Sequence, residues 1–457
     1  MNALISTALS GVVMMFAGLF VSNKQRIKFV AIVVLLACLV ANLAELSTIE
    51  AGDRTLYGMI TISRFSILFN AIALGATLIF FLLSGSAFEH VGEHVADYFA
   101  LIFFILSGIT LASTFSSLLM LFLAIEIISI PQYILAGSDK KTPKSSEASL
   151  KYFLMGSFST GILLMGITLI YGATGTFSVA DLGLGAGKVN TLALCGIILV
   201  AFALSFKVSA APFHFWTPDV YDGSPTVFTS FMATVVKAGG FIAFIRIFHG
   251  AFIGERITAD WQMLLAIITA ATLIIGNFTA VFQQSVKRML AYSSIAQAGF
   301  MLLAVISMNR YATEGIVLYA AAYSVATIGI FAVMIKLKDY TFDGFNGLAR
   351  TQPVLAATTA IFVFSLAGIP LTAGFFAKYF VLTAAIKQGN LLWLVIVAVI
   401  CAAISAYYYF RVIIAMYFKQ GEPATAPITG GFKVMLIITA AIVVLLGLFP
   451  DLLLQLI

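Results

Sequence analysis

The feature that most restricts this chain is a succession of uninterrupted apolar runs longer than twenty residues, such as 65–86 and 432–457. A bilayer's hydrocarbon layer is about 30 Å thick and a helix rises about 1.5 Å per residue, so roughly 20 residues cross it. Lipid offers the backbone no hydrogen-bond partner, and each run must therefore close its own amide ladder as a helix. A transmembrane barrel would instead show short strands of alternating polarity. Composition agrees. Of 457 residues, 25 are Lys or Arg and 19 are Asp or Glu, 10% charged, against about 25% in soluble domains. Hydrophobic residues make up 61%. These figures exclude a soluble globular enzyme and a disordered tail. A nucleic-acid binder is excluded because the net charge of +6 is spread thinly, with no basic run. The expected fold is all-α, a polytopic membrane protein.

The runs predict fourteen transmembrane helices, at about 3–22, 28–46, 64–86, 97–113, 115–137, 150–173, 190–217, 225–250, 259–281, 289–308, 312–336, 353–386, 390–418 and 433–455. No small-residue cleavage site follows the first run, so it reads as a span and not as a signal peptide. If the link after it faces the cytoplasm, thirteen Lys and Arg fall in inner links, Lys287 and Arg288 among them, and seven in outer links, Arg246 among them. That satisfies the positive-inside bias and puts both termini outside. Five further cations (Lys151, Lys207, Lys237, Lys378 and Arg411) and one acid, Glu126, fall within or at the edges of spans. Cys38, Cys195 and Cys401 occur singly, without a CxxC pair, and read as small hydrophobes, not as metal or cluster ligands.

An ionisable side chain at mid-membrane costs at least about 2.5–3.5 kcal/mol on insertion scales, so one that persists there marks function by default. Glu126, Lys207, Lys237 and Lys378 lie near span centres. Lys151 and Arg411 lie near span ends, where a long side chain can snorkel to the interface. Lysine is the informative choice, because a guanidinium keeps its proton while an ammonium held away from water can release one. Buried lysines with a single glutamate point to proton traffic, Glu126 pairing with either Lys207 or Lys237. Two spans carry a break beside such a lysine. Pro212 follows Lys207 by five residues, and Gly368-Ile369-Pro370 precedes Lys378. Proline removes a donor and frees a carbonyl, which at membrane depth needs water or protein as a partner. Either break alone reads equally as a simple kink. Two breaks, in spans running in opposite directions, suggest inverted repeats around a transport site.

Other polar residues admit two readings. His214 is either a proton relay or a hydrogen-bonded interface histidine. Tyr323, Ser293, Ser294 and Gln297 either support a water chain between Lys237 and Lys378 or simply join helices. Lys287 and Arg288 read as topology anchors that also lead protons inward. His90, Glu93 and His94 make a poor metal set. The stretch 183–187 lacks the spacing of a nucleotide loop and reads as a turn.

Several of these residues sit in motifs that resemble one family. Pro212-Phe-His-Phe-Trp-Thr-Pro-Asp-Val-Tyr-Asp-Gly-Ser-Pro225, followed by Lys237, resembles the signature of the subunit N family of the proton-pumping NADH:quinone oxidoreductase. Glu126 with Pro131 and Tyr133, Lys287-Arg-Met-Leu-Ala-Tyr-Ser-Ser-Ile295, and Gly368-Ile-Pro-Leu-Thr-Ala-Gly-Phe-Phe-Ala-Lys378 support it. The likeness runs along nearly the whole chain from about residue 60. It implies two inverted five-helix repeats, each with one discontinuous helix. The chain then divides into three N-terminal helices (1–96), a first repeat (97–250), a second repeat (251–418, its helices starting near 259) and a last helix (419–457).

The resemblance also implies roles. Glu126 and Lys207 would form the charge pair of the first half-channel, Lys237 the central proton carrier and Lys378 the exit-side lysine. The residues themselves, apart from the resemblance, make Lys151, His214, Lys287, Gln297 and Tyr323 candidates for further relays. Flavin, iron–sulfur clusters and quinone would belong to partner subunits, with no cofactor on this chain. The partners would be other membrane-arm subunits, neighbouring antiporter-like ones included, in a bacterial inner membrane. Two alternatives remain: a subunit of a cation/proton antiporter or membrane-bound hydrogenase using the same fold, and a non-transporting scaffold. Many relatives place a histidine where this chain has Gln297, which cannot take up a proton and would have to act by orienting water. Ending just after its last span, the chain is expected to lack the long lateral arm of the largest antiporter-like subunit.

Overall fold

The computed structural model describes residues 1–21, 23–49, 53–182, 190–253 and 255–456, and the turn expected at 183–187 lies outside them. Each of the fourteen expected crossings has its helix. The chain opens with α1 (Asn2–Phe20), α2 (Lys24–Ala44), a hairpin of β1 (Arg54–Leu56) and β2 (Ile60–Ile62), and α3 (Arg64–Ser84). Next come α4 (Val95–Thr114), α5 (Leu118–Ala136), α6 (Pro143–Thr174), the pair α7 (Thr191–Lys207) and α8 (Trp216–Gly223), and α9 (Thr226–Gly250). The second half holds α10 (Glu255–Val281), α11 (Val286–Ile306), α12 (Arg310–Lys336), the pair α13 (Pro353–Ala367) and α14 (Ala373–Gln388), and α15 (Leu392–Phe418). The last crossing is α16 (Gly430–Leu448). Twelve helices among the described residues are long and apolar enough to cross a membrane, and the two crossings that miss that length are the broken ones, led by α7 and α13.

Local chemistry fixes the ends. The Asn23 side chain accepts from the amides of Gln25 and Arg26, and Ser63 with Ser66 forms a reciprocal cap, so α2 and α3 start where their first amides find acceptors. Proline in its first turn lets α6 begin at Pro143, well before the expected 150, and places Lys151 two turns inside the helix. The tight passage from α4 to α5 works because its amides are met from elsewhere: Ser116 N donates to Met59 O at 2.7 Å and Leu118 N to Phe177 O at 2.9 Å. Met59 lies in the β1–β2 hairpin, an element that apolar periodicity did not anticipate. Tyr57 and Gly58 both adopt positive φ in its three-residue loop.

Two residues assigned to loops from the sequence belong to the bundle. Arg246, expected in an outer link, lies within α9 and donates through Nε to Phe115 O at 2.6 Å and through Nη2 to Thr114 O at 3.3 Å, capping α4. Lys287, expected as an inner anchor, is buried. Helix C-termini carry unpaired carbonyls and partial negative charge, which draws cations inward. Moving both residues removes one cation from each side of the topology count.

Three helices form the centre. The most apolar stretch of α12 is wholly buried, and those of α9 and α11 nearly so, while α1, α2, α15 and α16 turn most of their surface outward. Packing repeats along the chain: α4 lies on α5 and α9, α5 on α6, and α6 on α7 and α8. In the same order α10 lies on α11 and α15, α11 on α12, and α12 on α13 and α14. Gly166 and Gly196 let α6 and α7 touch by backbone; a Cβ on Gly196 would meet Gly166 O at 2.7 Å.

Candidate functional site

The three deep lysines project from these central or broken helices. Lys207 is the last residue of α7. The helix stops there because Ser209 takes a positive φ and the segment to Phe215 carries Pro212, joined through a cis peptide bond to Ala211. Its amide and carbonyl groups are redistributed: Ala210 N donates to Ser205 O at 2.8 Å, Ala211 N to Thr272 Oγ1 at 2.9 Å, and Trp216 Nε1 to Phe206 O at 3.2 Å. Lys207 Nζ donates to Ser129 Oγ at 2.8 Å and lies 3.5 Å from both Tyr133 OH and Thr160 Oγ1. Glu126, half-buried, stands one turn before Ser129 on α5. It forms no direct ion pair with Lys207 or Lys237 in this structure, because hydroxyls take the ammonium instead.

Lys237 is 2% exposed and follows a π-turn at Met232–Val236 within α9, a feature often found at functional sites. Its Nζ donates to the Ser294 carbonyl at 2.9 Å and to the Ser294 hydroxyl at 3.0 Å. The Tyr221 ring faces the same ammonium, its centre 5.9 Å from Nζ. Gly240, one turn beyond, packs on Val208 and the Lys207 backbone, so the first two lysines sit on touching segments.

Lys378 serves the second break. Gly368 at φ +86 ends α13, Leu371 is also left-handed, and Pro370 lies between them. Lys378 Nζ donates to Leu366 O and Ala367 O, both at 2.9 Å, and lies 4.8 Å from the Phe300 ring centre. Gln297 Nε2 shares the Leu366 carbonyl at 2.9 Å and also donates to Tyr409 OH at 3.0 Å. Tyr319 OH donates to Gln297 Oε1, and Ser293 is bonded to Tyr409. A cavity of about 10 Å³, bordered by Gln297, Tyr319, Tyr323, Ser365 and Lys378, has room for about one water. Polar groups thus line the way from Lys237 to Lys378: Ser294 beside the first, and Gln297, Tyr319, Tyr323 and Ser365 around the cavity at the second.

The remaining expected residues divide. Pro212 and Pro370 do mark the breaks. His214 lies buried within the first, stacked on Phe215 at 4.7 Å, its Nδ1 without a hydrogen-bond partner in the protein. Lys151 is half-exposed, paired with Glu147 at 2.7 Å and Asp219 at 3.1 Å. Lys287 donates to Asp222 O at 2.9 Å and Ser224 O at 2.7 Å, capping α8. Arg411 likewise donates to Val281 O at 2.8 Å, at the end of α10. Sequence reasoning missed Ser129, Thr160, Tyr221, Tyr319 and Tyr409. Tyr221 stood within the Pro212–Pro225 motif, while Ser129, three after Glu126, and Tyr319, four before Tyr323, had only helical spacing to mark them.

Residues 116–405 match the family described as NADH:quinone oxidoreductase/Mrp antiporter, TM. An NADH-quinone oxidoreductase subunit N from Cytophaga hutchinsonii is 41% identical, the match covering 100% of this chain and 99% of that protein. Among solved structures, a chain of respiratory complex I from Thermus thermophilus with bound aureothin superposes with a TM-score of 0.85 at 30% identity, covering 99% of this chain and 98% of that one. A chain of an archaeal membrane-bound sulfane sulfur reductase gives 0.87 at 26% identity, covering 100% and 94%.

Proposed function

We propose, because the chain belongs to the NADH:quinone oxidoreductase/Mrp antiporter transmembrane family, that it is an antiporter-like membrane-arm subunit, of the subunit N type, of an NADH:quinone oxidoreductase and that its buried lysines carry protons. One observation carries the residue assignment: Ser294, which accepts from Lys237, and Gln297, which borders the water-sized cavity at Lys378, lie one helical turn apart on the buried α11.

Lys207 is the loading station, its proton shared among the hydroxyls of Ser129, Tyr133 and Thr160. Glu126 nearby steadies the positive charge, and weakening that influence favours release. Lys237 is the central carrier. A proton leaving it passes to the Ser294 hydroxyl, whose own proton turns from Ala291 O, where it rests in this structure, toward Tyr323 and the cavity beside Lys378. Gln297 exchanges no proton. It holds Leu366 O, Tyr409 and Tyr319 in fixed directions, which orients that cavity. His214, Lys151 and Lys287 are placed for access and support and do not lie on the central thread.

Moving a proton against 100 mV requires about 2.3 kcal/mol. The source is redox chemistry in partner subunits that hold the flavin, iron–sulfur clusters and quinone, in a bacterial inner membrane with both termini of this chain outside. Helices α4–α9 and α10–α15 form two inverted repeats, a reading supported by their matching packing order and by one broken helix in each. Full-length identity of 41% to a subunit N, against 26% to the sulfane sulfur reductase chain, favours this assembly over another user of the same fold. The test is purification of the native complex from membranes. A flavin and iron–sulfur spectrum with NADH-driven proton uptake into vesicles is expected; a complex holding this chain but neither cofactor would overturn the assignment.

A further inference from the structure

The short helix α8, Trp216–Gly223, has only eight residues. A helix that short has little stability of its own, so its position is set by what grips it. Two grips come from the first turn of α11. Lys287 donates to Asp222 O and Ser224 O at its C-terminal end, and Arg288 Nη2 meets Asp219 Oδ1 at 3.1 Å. A third comes from α6, where Lys151 meets the other oxygen, Asp219 Oδ2, at 3.1 Å and is itself paired with Glu147. One carboxylate is thus divided between a cation of the first repeat and a cation of the second.

At its other end α8 reaches Lys207. Trp216 stacks on Tyr152 of α6 at 4.5 Å, and its Nε1 donates to Phe206 O, the carbonyl just before Lys207. The same α11 whose first turn holds α8 carries Ser294, the acceptor of Lys237, and Gln297, which shares the Leu366 carbonyl with Lys378. Exposed ion pairs contribute little stability individually, so the division of Asp219 is better suited to orientation than to holding the fold.

We infer that Asp219 is a positioning residue, a latch by which α11 of the second repeat sets the angle of α8 and so the environment of Lys207 in the first. The inference rests on the proton-carrying reading above. Displacing α11 when Lys237 or Lys378 changes its charge would pull on Arg288, turn α8 through Asp219, and shift Phe206 O beside Lys207. Asp219 exchanges no proton in this scheme.

The test uses the intact complex in vesicles and reads protons taken up per NADH oxidised, a ratio that fewer assembled complexes would not alter. Asp219→Asn and Arg288→Gln are each expected to lower this chain's share of it by about threefold, the change that losing one such network supports. The double variant should be no worse than either single one, since both break the same link. Asp219→Glu should restore most of the ratio. Arg288 and Asp219 are both partly exposed, and Arg288→Gln reads the same latch if Asp219→Asn fails to assemble. An unchanged ratio in both single variants, or additive losses in the double, overturns the latch. If Lys237→Met also leaves the ratio unchanged, the proton-carrying reading has failed instead.

Discussion

Lys378→Arg separates two tasks that this lysine performs. Its ammonium is the donor to Ala367 O and shares Leu366 O with Gln297, at the C-terminal end of α13. Truncation to Met leaves the partly buried Ala367 carbonyl without its donor, at about 1–3 kcal/mol, and removes a cation from a helix C-terminus, at about 1 kcal/mol more in a partly buried setting. Lys378→Met should therefore destabilise the second break by about 2–4 kcal/mol. Arginine can make the same cap but cannot release its proton. The assay pairs thermal unfolding of the purified complex with NADH-driven proton uptake in vesicles. Lys378→Arg should keep the unfolding temperature near that of the parent and lose transport; Lys378→Met should lose both. Parental transport in Lys378→Arg would refute the carrier role, and unfolding as early as the Met variant would refute the cap.

Gln297→Leu keeps the bulk of the side chain and deletes its bonds to Leu366 O, Tyr409 and Tyr319. The share of proton uptake carried by this chain should fall by about tenfold, the equivalent of about 1.4 kcal/mol for one well-oriented link, and uptake at the parental rate would place the route elsewhere. Gly196→Ala forces a methyl against Gly166 O at 2.7 Å and Ile170 N at 3.0 Å. Overpacking of that kind costs about 1–3 kcal/mol, so the unfolding temperature should drop, and an unchanged value would contradict the close α6–α7 contact.

Apolar length was enough to place all fourteen crossings, because lipid leaves the backbone no other solution. The breaks were legible too, since Pro212 and Gly368–Pro370 interrupt apolar runs beside lysines. The π-turn at Met232–Val236 was not, as no proline or glycine marks it. Arg246 and Lys287 were misplaced for one physical reason: near the end of an apolar run, a cation that anchors topology and a cation that caps a neighbouring helix look alike in sequence. Charge alone left Glu126 to pair with Lys207 or Lys237, and the family resemblance pointed to Lys207. Only the structure shows Ser129, Tyr133 and Thr160 standing closer to that ammonium. The tyrosine and glutamine web around Gln297 joins residues more than a hundred positions apart, beyond the reach of local periodicity.

The most direct measurement is proton uptake per NADH oxidised by vesicles holding the intact complex with Lys237→Met. Methionine fits the apolar walls around that site but neither binds nor passes a proton. Uptake lowered by at least the share this chain carries, with every subunit still present, is the predicted result. Uptake equal to that of the parent complex would contradict a proton path through Lys237.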